Sequence, residues 1–272
     1  MIKPSKLEKF KPSQKELEKL GNEFFSEALP LLNAIYSASL LIFMDDKAAA
    51  KIIKQIYFEA IEYCHVTKNE ADWQSWIFRI WMRDIYDYFA QRENDIKTNF
   101  EFIDYAKLET NDGWSVDDLN QLKKFLKKLP AVLRIPLVMK EVLLFNYEKI
   151  GELIDVPIGV IATRLYRARK LLFLLSRNDF DLTKEKLIWK QKEPTKKIFN
   201  LRKSSLYVDD ELNPEEKAAV KENSKNNHEF ESEIILQKSV KNILQTKIPS
   251  AESAGSLKSK IERKAKKKFL IA

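Results

Sequence analysis

Glycine is almost missing from this chain. There are five in 272 residues (Gly21, Gly113, Gly151, Gly159, Gly255), no two of them within four residues of each other, where a share of roughly 7% is usual. Glycine supplies the positive φ and the close backbone approach that tight hairpins and phosphate-cradling loops require. Few sharp turns are therefore expected, a glycine-rich nucleotide loop is excluded, and an enzyme built on one is disfavoured. The single cysteine, Cys64, can make no intrachain disulfide, and with only His65 and His228 the chain lacks the ligands of a structural zinc site. No cofactor and no metal are expected.

Hydrophobic patterning supplies the fold class. No run of about 18 apolar residues occurs, and the first twenty residues alternate lysine with glutamate, so the expectation is a soluble, cytoplasmic protein that makes no use of a membrane. From Pro30 to Phe89 apolar residues recur at helical spacing. Ile52, Ile53, Ile56, Tyr57, Ala60, Ile61 and Cys64 trace one stripe behind Asp46, read as an N-cap. A second helix is expected from Asn69, where Asn-Glu-Ala-Asp resembles a capping box, with Trp73, Trp76, Ile77, Ile80, Trp81, Ile85 and Tyr88 on one side. Gln91 to Asp118 loses the periodicity and carries eight acids against three bases, an acidic linker. Helical pattern resumes from Leu119 to about Leu175, with breaks expected at Pro130, Pro136 and Pro157.

The expected architecture is all-α. It comprises an N-terminal extension (1–28), a helical module (29–90), the acidic linker (91–118), a second helical module (119–176), a basic connector (177–205), a helical domain (206–247) and a basic tail (248–272). In the tail, Leu257 to Lys268 holds seven bases and one acid, which reads as disordered or merely basic. Lysine and arginine number 48 against 40 acids, a net charge of +8. That excess suits a polyanionic partner, and suits a solvated basic surface about equally.

The most specific local signal runs from Tyr147 to Lys170. A short helix ends at Asp155-Val156-Pro157 and a longer one follows, in helix-turn-helix order. Gly151 puts a hydrogen where the two helices approach, and Asp155 stands where the turn needs a left-handed residue. The second helix carries Arg164, Arg167, Arg169 and Lys170, with no acid between Ile158 and Leu172. A helix in the major groove needs such bases for phosphates and base edges; a helix with a solvated cationic face is the alternative.

Leu129-Pro130, Arg134, Tyr147-Glu148-Lys149-Ile150, Val156-Pro157-Ile158-Gly159, Thr163-Arg164-Leu165 and Arg167-Ala168-Arg169 together resemble the second module of extracytoplasmic-function (ECF) sigma factors, the small promoter-recognition subunits of bacterial RNA polymerase. The resemblance implies that this module reads the upstream promoter element, with Thr163, Arg164, Arg167, Arg169 and Lys170 in contact with DNA. Ala162 and Val160 stand where the family often has lysine and threonine.

The first module fits the family more loosely, through Trp73, Trp76, Ile80 and Asp87. Here the resemblance implies contacts to melted promoter DNA, assigned to Lys68, Asn69, Trp73, Arg79 and Arg83, while Trp76 and Trp81 are read as core. It also implies a surface for core RNA polymerase, assigned to Lys51, Lys54 and Gln55. Ala50, Lys51, Lys54 and Gln55 replace the acidic and glutamine residues of the family, a reversal of local sign. The acidic linker matches, in the family, a segment that follows the RNA path; a solubilising linker is the alternative.

Beyond the second module, Leu206-Tyr-Val-Asp-Asp-Glu-Leu-Asn-Pro-Glu-Glu216 resembles the opening of zinc-finger-type anti-sigma domains. Ser224, His228 and Glu231 fall where that family places zinc ligands and make a poor set. The domain is instead expected to hold together through Ile234, Ile235, Leu236, Val240, Ile243 and Leu244, with His228 on the surface. Tethering raises the effective concentration of such a domain toward millimolar, which implies autoinhibition or a role in holding the modules together.

The functional expectation is a non-enzymatic sigma factor that binds core polymerase and promoter DNA, with an anti-sigma factor or its own C-terminal domain as a further partner. The alternatives are a helix-turn-helix regulator that does not engage polymerase, and a sigma-like decoy that sequesters an anti-sigma factor. If four or five bases neutralise phosphates, log affinity for DNA falls against log salt with a slope near −4, at about −0.9 per contact. A salt titration of duplex binding checks this, and a flat response contradicts it.

Overall fold

The computed structural model describes residues 12–67, 72–90, 119–176, 195–248 and 255–269. The acidic linker, most of the basic connector, and Lys68 and Asn69 lie outside these residues. Among them every regular element is a helix, and the chain divides into two compact units: Met1–Tyr88 with Ser250–Ala272, and Phe89–Pro249.

Unit 1 begins with α1 (Gln14–Glu23), capped by Ser13 and Glu16 in a reciprocal box. Pro30 has no N–H to continue an α-helix, and the chain passes it through a π turn at Phe24–Ala28 and a 3-10 turn at Leu29–Leu31. The Tyr57 hydroxyl donates to the Ala28 carbonyl at 2.9 Å, giving that irregular stretch a buried partner. Helix α2 (Leu32–Phe43) ends on left-handed Met44. The Asp45 carboxylate then accepts from the backbone N–H groups of Lys47 and Ala48 at 2.9 and 3.0 Å. Asp45, not Asp46, thus caps α3 (Asp46–Thr67). Helix α4 (Trp73–Ala90) starts four residues after Asn69, because Asp72 accepts from the Ser75 N–H at 2.6 Å and supplies the cap.

Gln14–Phe43 is long and apolar enough by composition to cross a membrane, yet 44% of its most apolar window is buried. Phe24, Leu32, Ile35 and Ile42 from it enter the core. The basic tail is not extended: Gly255–Phe269 forms α12 and packs on α1 and α3. Leu257, Ile261, Ala265 and Phe269, spaced by four, are all buried, a stripe that the lysine count had hidden. Phe24 lies at the centre, with ring centroids of Trp73, Phe269 and Tyr57 at 5.5, 5.9 and 6.3 Å.

Unit 2 holds α5 (Leu119–Lys128), α6 (Ala131–Glu141), α7 (Tyr147–Ile154), α8 (Ile158–Ser176), α9 (Thr195–Val208), α10 (Pro214–Asn226) and α11 (His228–Lys247). Pro136 does not break its helix as expected; α6 runs through it. A proline inside a helix costs about 3 kcal/mol, but buried Leu133, Leu137, Val138 and Met139 each contribute roughly 1.5–3 kcal/mol. Arg134 is buried, its Nη1 donating to the carbonyls of Leu126, Lys127 and Leu129 at 3.2, 3.2 and 2.9 Å, so it closes the C-terminus of α5.

Helix α9 takes up part of the expected connector. Helix α10 begins as its sequence indicates, with Asn213 and Glu216 in a capping box around Pro214. Of the residues expected to hold this region, Ile234, Leu236, Val240 and Leu244 are buried, Ile243 is half-buried and Ile235 is 61% exposed.

Gly151 sits where no side chain fits: a Cβ there would lie 2.8 Å from the Val156 carbonyl oxygen. Gly151→Ala gains at most about 1 kcal/mol of helix propensity and loses roughly 1–3 kcal/mol to overpacking against rigid backbone. Urea unfolding is expected to show a net loss of up to about 2 kcal/mol.

Candidate nucleic-acid interface

The helix-turn-helix is built by three local devices. Asn146 caps α7, accepting from the Lys149 N–H at 2.8 Å. Asp155 adopts φ 53 and ψ 53, the left-handed conformation its short polar side chain tolerates. The Val156 N–H then donates to the Gly151 carbonyl at 3.1 Å, and α8 starts after Pro157. Missing side-chain volume at Gly151 is what allows the turn to fold back this closely.

With 3.6 residues per turn, α8 divides into two faces. Ile161, Ala162, Leu165, Tyr166, Ala168, Leu171 and Leu172 are buried. Gly159, Val160, Thr163, Arg164 and Arg167 form the outward, half-buried face, and Ile158 at the helix start is 47% exposed. Thr163 donates its hydroxyl to the Gly159 carbonyl at 2.8 Å. Arg164 and Arg167 are thus the bases this helix presents.

Arg169 and Lys170 are turned inward, which corrects the expectation that they touch DNA: both side chains are 0% exposed. Arg169 Nη2 donates to Glu141 Oε1 at 2.6 Å and to both Asp209 oxygens at 2.8 Å. Asp209 also accepts from the Tyr147 hydroxyl at 2.6 Å and from Lys241 Nζ at 3.0 Å. Burial pushes the Asp209 carboxyl up, but the charges of Arg169 and Lys241 with these hydrogen bonds outweigh it and hold it below the ordinary carboxylate range. Burial beside Asp209 raises the Tyr147 phenol far above its usual value, so it stays a donor. Lys170 is paired with Glu233, which also accepts from the Tyr166 hydroxyl at 2.7 Å. The carboxylates Glu141, Asp209 and Glu233 were missed in the sequence because they lie 28 to 63 residues from the bases they pair with.

In unit 1 the assigned residues disperse. Trp73, expected at the surface, is 0% exposed and packs on Phe24, while Trp76 is only half-buried, the reverse of the expected pair. Trp73 opens α4 against the π turn, and that packing rules out stacking on a base. Trp81 is core as expected, its indole N–H donating to Ser39 at 2.9 Å. Arg79 is exposed. Arg83 forms a fork with Glu59 at 2.7 Å on both terminal nitrogens and reaches Asp84 at 2.7 Å. Burial raises the Asp84 carboxyl, a shift Arg83 only partly offsets. Lys51, Lys54 and Gln55 are exposed along α3, and Lys54 lies 5.2 Å over the Phe58 ring. His228 is exposed and 3.6 Å from Glu231. Among the described residues no group of three His, Cys, Asp or Glu could hold a metal ion.

Residues 119–172, helices α5 to α7 and most of α8, match the family described as Sigma-70, region 4; the second unit therefore contains a DNA-binding helix-turn-helix of the sigma-factor class. Over a longer span the chain is similar to the ECF RNA polymerase sigma-E factor of Escherichia coli (strain K12), 20% identical over 133 residues, covering 44% of this chain and 70% of that protein. The same figures hold for the sigma-E factor of Salmonella typhimurium (strain LT2). That of Haemophilus influenzae (strain Rd) is 21% identical over 136 residues, with the same shares. The match and these relatives support an RNA polymerase sigma factor of the ECF type.

Asp209, held below its ordinary pKa, contributes stability that is present above the unfolded value of about 3.9 and is lost as pH falls through the lower, folded value. Arg169→Met strands the buried Glu141 without its cation and leaves Asp209 with the charge of Lys241 alone, and is expected to cost about 3–5 kcal/mol at pH 7. The deficit narrows as the pH is lowered toward 4, where Asp209, deprived of the Arg169 charge that holds its carboxyl low, protonates more readily. Urea unfolding at the two pH values measures the difference.

Proposed function

We propose that this chain directs transcription initiation as an RNA polymerase sigma factor in the cytoplasm, with nucleotide transfer and its metal left to the polymerase. The outward face of α8, Thr163, Arg164 and Arg167, carries the reading, because it is a cationic recognition surface inside the matched region 4 module. These residues contact the upstream promoter element, and Arg79 on α4 faces melted DNA. Core polymerase engages unit 1 along α3, through Lys51, Lys54 and Gln55.

The C-terminal helices act on the reading surface by selection. They withdraw Arg169 and Lys170 from DNA and leave Arg164 and Arg167, so the salt slope attributable to α8 falls from near −4 to about −2, at −0.9 per contact. A detachable inhibitor is the less favourable form of this regulation. Removing α9 to α11 exposes the apolar side of α8 as well as a stranded Arg169, which costs more than a tethered, weak contact could recover.

Transcription on a promoter library with core polymerase tests the proposal. The full chain is expected to start transcripts, Arg164→Ala with Arg167→Ala to lose at least tenfold, and a chain ending at Pro194 to be less active than the full chain. A rise in activity on truncation supports inhibition by the extension instead. Salt-dependent duplex binding without transcripts favours the regulator reading, to which the lysines at 51 and 54 lend support. Neither binding nor transcripts leaves the decoy.

A further inference from the structure

Several cations around the C-terminal helices are paired with carboxylates. Arg169 and Lys170 are paired inside the unit, Lys140 is paired with Glu211 at 2.6 Å, and Lys203 is paired with Glu216. Arg202 is different. It is exposed on α9, and among the described residues no carboxylate pairs with it. Its Nε–H donates to Thr163 Oγ1 at 3.1 Å, while Thr163 uses its own proton on the Gly159 carbonyl. One of the five guanidinium donors is thereby fixed, and among the described residues the other four have no protein acceptor.

Gly159 explains how the guanidinium comes so near to α8. A Cβ at that position would lie 3.4 Å from Arg202 Nη1 and 3.5 Å from its Cζ. The guanidinium therefore lies over the first turn of a 19-residue helix, where the backbone N–H groups and the macrodipole already present positive charge. A cation at that end is unfavourable unless an anion completes the arrangement. Thr163 holds the planar fork in place beside Arg164 and Arg167, which reduces the side-chain entropy lost when it binds.

We propose that Arg202 is a phosphate-contacting residue of the DNA interface, delivered by the C-terminal helices to the flank of the α8 reading face. This rests on the reading of α8 as the DNA-binding helix. The ligand is a backbone phosphate of duplex DNA, and the surface that meets it comes from two parts of the chain: Thr163, Arg164 and Arg167 from the helix-turn-helix, Arg202 from α9.

The full chain is titrated against two fluorescent duplexes, one selected by it from a random-sequence pool and one of scrambled sequence, over a range of salt. Arg202→Gln is expected to weaken both by roughly tenfold, as for loss of a charged hydrogen bond, and to make the salt slope shallower by about 0.9. Arg202→Lys keeps the charge and restores the slope. The inference is overturned if Arg202→Gln leaves the slope unchanged, whether or not affinity falls, or if the loss is confined to the selected sequence, which marks a base contact. Should the wild-type chain bind neither duplex at low salt, the reading of α8 fails and takes Arg202 with it. Wild-type binding that Arg164→Ala with Arg167→Ala weakens, but Arg202→Gln does not, removes Arg202 alone.

Discussion

The second unit depends on the Arg169 guanidinium. It reaches Glu141 at the end of α6 and Asp209 just past α9, and Asp209 in turn accepts from Tyr147 of α7 and Lys241 of α11. Five helices thus converge on one buried cluster of two cations and two carboxylates. Taking each ion out of water costs several kcal/mol, so the cluster adds little net stability over an apolar core of the same volume. Its effect is on alternatives. Any other docking of α9 or α11 would leave one of the carboxylates or Arg169 uncompensated in the interior, and that penalty is large enough to select one arrangement of the C-terminal helices on α8.

Sequence was informative wherever the cause was local. The left-handed Asp155, the close approach at Gly151 and the capping box at Asn213 each depend on residues within five positions, and each stands as read. Reading failed where a side chain's role was set by a distant partner. Arg167 and Arg169 look alike in sequence, but two positions along an α-helix place them on different sides. The carboxylates that make Arg169 a core residue lie 28 and 40 residues away. The tryptophans show the same limit in unit 1: Trp73 is core because α1 continues through the π turn that carries Phe24, an irregularity that no periodicity in α4 reveals. Charge counting misled at the tail, since seven bases obscured four apolar residues at regular spacing.

That tail also changes how the C-terminal region should be viewed. Helices α9 to α11 belong to unit 2, but α12 belongs to unit 1, where Lys264 and Lys268 reach Glu62 of α3 at 3.0 and 3.3 Å. The hydrogen bond from Lys264, helped by Lys268, holds the Glu62 carboxyl below its ordinary range although partial burial opposes this. These are surface pairs, worth at most about 1 kcal/mol each, so the apolar stripe and Phe269 against Phe24 carry the docking. The C-terminal region is therefore not one appended domain. It contributes to the cores of both units, and its loss would be felt in each.

Net charge is a poor measure of what such a chain offers to DNA. The formal +8 says nothing about where the field is exposed, and the segment with the densest bases in the recognition helix, Arg167 to Lys170, gives two of its three bases to internal carboxylates. A base contributes to phosphate binding only if its neighbours leave it unneutralised and the fold leaves it at the surface. Arg164 and Arg167 meet the second condition because the periodicity of α8 turns them outward. Arg202 meets both although it lies outside the helix-turn-helix, since α9 presents no acid beside it. Buried carboxylates thus shape this interface as much as exposed bases do, by deciding which positive charges remain on its surface.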